Sequence, residues 1–113
     1  MLDGYPSIVL LDQSGHELPF TYNHNGDQMI TADPPQEVRL KVGGAAYFAF
    51  NKYRCDVHPL AFAASMRVTL PGGTTARTVH LPRHLIEFCT ERPSRIVTVS
   101  PIEARLDDAA AQP

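Results

Sequence analysis

Ser65-Met66-Arg67-Val68-Thr69-Leu70 alternates polar and apolar residues without a break. In an extended chain this puts Met66, Val68 and Leu70 on one face and Ser65, Arg67 and Thr69 on the other. In a helix Met66 and Val68 would stand roughly 200° apart and could not share a buried face. Pro71-Gly72-Gly73 follows as a hairpin turn, and Thr78-Val79-His80-Leu81 continues the same period. Upstream, Glu37-Val38-Arg39-Leu40-Lys41-Val42 puts Val38, Leu40 and Val42 on one face, and Gly43-Gly44 links it to Ala45–Phe50. Ser7–Leu11 and Ala45–Phe50 are continuous apolar runs, as in strands covered on both faces. Arg95–Val99 is β-branched and reads as a last strand. Gln13-Ser14-Gly15 separates Ser7–Leu11 from Glu17–Tyr22, Asn25-Gly26 is a tight-turn signal, and Pro34-Pro35 ends a segment. Seven to eight short strands spaced by about ten residues predict an all-β sandwich or barrel. Residues 1–102 form the expected domain. The one helical candidate, Ile102 to Ala111, is expected to be part of a frayed tail over 103–113.

The chain has 113 residues, 43% of them hydrophobic and 19% charged, enough apolar content for a core of its own. Ten basic against 12 acidic residues give a formal net charge of −2. With only Lys41 and Lys52 as lysines and no basic cluster, a nucleic-acid partner is excluded. No apolar run approaches the ~20 residues of a membrane span. Met1-Leu2-Asp3-Gly4-Tyr5-Pro6 lacks the basic and apolar regions of a secretory leader. Taken alone that suggests the cytoplasm, although a mature chain with its leader removed would read the same.

Few residues suggest chemistry. The five histidines are His16, His24, His58, His80 and His84, and none sits in a nucleophile–base context. Ser65 and Ser100 lack a nucleophile elbow. No catalytic residue and no cofactor is therefore expected. Asp12, Asp27, Asp33 and Asp56 fall at predicted turns, where carboxylates bond nearby backbone amides. Asn23-His24-Asn25-Gly26-Asp27 is too sparse in oxygen ligands for a calcium loop. Tyr47, Phe48, Phe50, Phe62 and Phe88 read as core, and Tyr5, Tyr22 and Tyr53 as half-buried. Cys55 and Cys89 lie 34 positions apart. Spacing alone leaves three readings open: a disulfide, two buried thiols, or a metal site. In the last, Cys55 and Cys89 with two imidazoles drawn from His58, His80 and His84 would supply a tetrahedral set for zinc or copper. Against the metal, His80 falls on an alternating strand facing outward, and Pro59 restricts the backbone of His58.

An ordered series of motifs runs through the chain. It begins Gly4-Tyr5-Pro6, Ile8-Val9-Leu10-Leu11-Asp12 and Gly15. It continues with Val38, Leu40, Gly43-Gly44, Ala46, Cys55 and Arg67-Val68-Thr69-Leu70-Pro71-Gly72. It ends with Cys89, Val97, Val99 and Ser100-Pro101. This order resembles a bacterial family catalogued as domain of unknown function 4232, common in actinobacterial lipoproteins and secreted proteins. The resemblance spans residues 2 to 102. It implies an immunoglobulin-like antiparallel β-sandwich with Greek-key connections, placed outside the cytoplasm, secreted or lipid-anchored. It implies pairing of Cys55 with Cys89. It implies no activity, ligand or catalytic residue. Members of the family carry further early strands and usually a cysteine before the Gly-Tyr-Pro segment, whereas Met1 here stands almost at that point. The N-terminal portion is therefore expected to be lacking, with a sheet edge left open to self-association.

The reading that follows is a non-catalytic extracytoplasmic module of the bacterial cell envelope. It would bind an unidentified protein or small ligand through loops or a sheet edge on a rigid scaffold. The alternative is a metal-handling domain using His58, His80 and His84, and an enzyme of unidentified reaction ranks below both.

Overall fold

A computed structural model of the protein describes residues 4–27, 29–39 and 45–109. The chain is all-β among these, with eight short strands, a 3₁₀ turn at Pro93–Arg95 and a single helical turn, α1 (Leu106–Ala109). In the first sheet β1 (Ser7–Leu11) pairs antiparallel with β5 (Ser65–Thr69), and β5 with β6 (Ala76–His80). In the second, β8 (Ile96–Val99) lies between β2 (Thr21–Asn23) and β3 (Phe50–Asn51). A third, two-stranded sheet joins β4 (Ala61–Phe62) to β7 (Glu87–Phe88).

The alternation of Ser65–Thr69 sets the register of the first sheet. Leu10 stands opposite Met66 and Ile8 opposite Val68, so these four share one face, while Val9 and Leu11 point to the other. That face meets Val97 and Val99 of β8, Phe20 and Phe88 in one core cluster, drawing side chains from all three sheets. Phe20 and Phe88 meet edge to face, 5.2 Å between centroids and 85° between planes. Tyr22 of β2 ties the second sheet to the first, its hydroxyl accepting from the Leu10 amide at 2.9 Å.

Several expectations shift. The strand expected over Ala45–Phe50 is reduced to Phe50–Asn51. Ala49 instead exchanges hydrogen bonds with Ser100, and Tyr47 with Glu103. The purely antiparallel pattern is broken by β2 and β8, which run parallel because the whole intervening chain serves as their crossover. Leu70, expected on the buried face, is 46% exposed because β5 ends at Thr69 and Leu70 enters the Pro71-Gly72 turn. The expected frayed tail is tied back over 103–109: the Glu103 amide donates to Tyr47 O at 2.7 Å, and Ala109 O accepts from the Thr31 amide at 2.9 Å. Burial of Ile102 and Ala109 supplies the reason, since docking removes apolar surface from water. Leu40, Val42 and the Gly43-Gly44 link lie outside the described residues, as do residues 110–113.

Candidate functional site

Cys55 and Cys89 form a disulfide, with Cα atoms 6.3 Å apart. It fastens the segment after β3 to the end of β7. Both sulfurs are thereby spent, which removes them as thiolate ligands and corrects the alternative metal set. His58, His80 and His84 are exposed. Among the described residues no three His, Cys, Asp or Glu side chains gather in a metal-binding arrangement. His84 packs instead against Phe62, ring centroids 4.4 Å apart and planes tilted by 37°, in a positive-φ conformation (φ 61). The disulfide is buttressed by its neighbours. Ser94 Oγ sits 2.7 Å from Cys89 Sγ and donates to Glu91 O at 2.9 Å. Arg95 Nε donates to Cys89 O at 2.7 Å, with its guanidinium 4.6 Å from the Phe88 ring centre.

The arrangement with most chemical capacity is a cleft of ≈ 500 Å³ over the second sheet. This lies in the range of small-ligand sites. Period two along β8 sends Val97 and Val99 into the core, so Ile96 and Thr98 form the cleft floor. Asn23 of β2 and Asn51 of β3 both pair with Thr98 across the ladder, so Asn23, Thr98 and Asn51 make a polar row. Tyr53 and Arg54 rise from the segment after β3, and Arg92 and Pro93 from the turn before β8. Gly26 and Met29 close the far side.

Charge is concentrated here against the sign of the chain. Lys52, Arg54 and Arg92 line the cleft beside one carboxylate, Asp27, in a protein of formal net charge −2. None of the three forms an ion pair with a described carboxylate. Burial lowers the pKa of Lys52, opposed by the field of Glu87. Its ammonium donates to Tyr53 O at 2.7 Å. Asp27 is occupied with structure: Oδ1 accepts from the amides of Met29 (2.7 Å) and Ile30 (2.8 Å), and Oδ2 from Asn51 Nδ2 at 3.3 Å. The turn role expected for Asp27 is thus the observed one, and Asp12 does likewise for Ser14 and His16.

A second cleft of ≈ 540 Å³ lies between the Asp12–Ser14 turn, β4 and the His84 turn. Its acid, Asp12, is committed to backbone amides at 2.9 Å. It offers one free cation, Arg83, among its described lining residues.

The cleft over the second sheet was not read from the sequence. Lys52-Tyr53-Arg54, two cations about a tyrosine beside Asn51, was its visible signal. Arg92 and Asn23 join it only through the pairing of β2, β8 and β3.

No curated protein and no solved structure matches the chain. Residues 1–103 match the family described as Domain of unknown function (DUF4232). With that match covering nearly the whole of its 113 residues, the chain belongs to this family of domains of unknown function.

Proposed function

We propose that the protein is a non-catalytic, extracytoplasmic binding module, immunoglobulin-like in fold, that takes an anionic ligand in the cleft over β2, β8 and β3. The observation that carries this is the convergence of Lys52, Arg54 and Arg92, without internal ion-pair partners among the described residues, on a concave floor. Charges held unpaired at the rim of a cleft attract and orient an oppositely charged ligand. The Cys55–Cys89 disulfide supports the compartment, because such bonds persist where the medium is oxidising. No helix among the described residues is long and apolar enough to cross a membrane.

The test is an amide chemical-shift titration of the whole chain with citrate and with inorganic phosphate. Shifts are expected at Asn23, Asn51–Arg54, Arg92 and Thr98, and they should vanish in the Arg54→Ala, Arg92→Ala double variant. Shifts confined to other surfaces, or indifferent to the double substitution, overturn the reading. The compartment is tested by trapping thiols in intact cells; a cytoplasmic pool with both cysteines free would contradict it. Self-association would use β6, an edge strand whose five residues are all exposed. Sedimentation at rising concentration reads this directly: a monomer throughout rules it out.

A further inference from the structure

We infer that the ligand of this cleft is an acidic sugar, a polyhydroxylated ring bearing a carboxylate; the inference rests on the cleft being the anion-binding site proposed above. The ladder register sets Asn23, Thr98 and Asn51 side by side, so a carboxamide, a hydroxyl and a second carboxamide stand at successive strand spacings of about 4.8 Å. The row thus spans roughly 10 Å, close to the length of a disaccharide.

Internal hydrogen bonds orient its two ends. Asn23 Oδ1 accepts from the Asn25 amide at 3.1 Å, so both Nδ2 hydrogens and one oxygen lone pair remain. Asn51 Nδ2 donates one hydrogen to Asp27 Oδ2 at 3.3 Å, which turns its Oδ1 away as an acceptor and leaves one N–H to donate. Thr98 between them serves as donor or acceptor. A ligand that both donates and accepts at neighbouring positions satisfies the whole row. Sugar hydroxyls do so, whereas sulfate or a simple carboxylate offers acceptors alone.

The cations complete the match. Arg54 and Arg92 present planar forks suited to a carboxylate. Lys52, already engaged with Tyr53 O, adds charge and fixes the backbone that carries Tyr53. Tyr53 is 65% exposed at the rim and offers a flat apolar ring to the C–H face of a sugar. Acids limit how much negative charge the site tolerates. Asp27 lies at the floor, and Asp56 and Glu91 line a shallow pocket shared with Arg54. One carboxylate per ring reaches the arginines without crowding these groups.

The experiment titrates the whole chain with digalacturonic acid, cellobiose, glutarate and inorganic phosphate at matched ionic strength, read by amide shifts. Digalacturonic acid should bind roughly tenfold more tightly than cellobiose or glutarate. Thr98→Val, which keeps the shape of the side chain, should bring digalacturonic acid down to the affinity of glutarate and leave glutarate unchanged. The Arg54→Ala, Arg92→Ala variant should lose both acids. Glutarate or phosphate binding in the cleft as tightly as the sugar acid overturns the inference and leaves the anion site standing. Absence of cleft shifts with all four probes overturns both.

Discussion

Gly26 shows how closely one position is determined. Its φ is +76°, and a Cβ there would come within 2.6 Å of Ala32 Cβ and 2.8 Å of Ala32 Cα. Both the left-handed backbone and the close approach demand glycine. Gly26→Ala should cost roughly 1–3 kcal/mol by overpacking alone, measured by urea unfolding, and should disturb the cleft wall. A neutral effect would mean the turn rearranges freely. His24, exposed overall, stacks face to face on Tyr5, centroids 3.7 Å apart, and partial desolvation lowers its pKa from 6.5. The unfolded chain then takes up the proton first, so stability should fall as pH drops below about 6.5 and level off below the folded pKa. His24→Phe, which keeps the stack, should flatten that part of the stability profile. An unchanged profile would assign the slope to another group.

Among the elements, those carried by local pattern were legible. Ser7–Leu11 is the observed β1, and Ser65–Thr69, Ala76–His80 and Ile96–Val99 lie within two residues of their expected bounds. Alternation there coincides with a ladder that has a core on one side. The misses fall where pairing is long-range. Thr21–Asn23 starts four residues later than the Glu17 expected from pattern, because Leu18 and Phe20 are used as core side chains before the chain meets β8. The contrast between strands yields a prediction. Leu10 in β1 is fully buried, so Leu10→Ala should cost roughly 2–5 kcal/mol. Val79 in β6 is 48% exposed, so Val79→Ala should stay within about 0.5 kcal/mol. Similar losses at both sites in chemical denaturation would mean that β6 is covered by a partner.

For the molecule as a unit, the Cys55–Cys89 bond closes a loop of 34 residues. In the chain-entropy view this stabilises by roughly 3–4 kcal/mol by restricting the unfolded state. Cys55→Ala should lower the unfolding temperature under oxidising conditions and change it little in reductant. Equal loss in both would assign the effect to packing. Glu103, 5% exposed, is a second global control. Burial, with Asp108 and Asp33 nearby, raises its pKa above 4.5. The folded state holds this proton more tightly, so the contribution is fully present below pH 4.5 and is lost as pH rises through the folded value. Glu103→Gln should therefore gain on the natural protein as pH rises through that window, measured by thermal unfolding. A constant difference across pH would refute the burial argument.

Strand class and most strand positions follow from alternation and turn residues, because side-chain direction in an extended chain depends on neighbours alone. The pairing of the cysteines came with the motif order of the family, since 34 positions of separation say nothing of distance in space. The cleft had to await the folded chain. Asn23, Asn51, Arg92 and Thr98 come from three strands and a turn, and only the β2–β8–β3 ladder makes them neighbours. Local period is set by covalent geometry, whereas the meeting of distant segments is set by which apolar faces can be buried together.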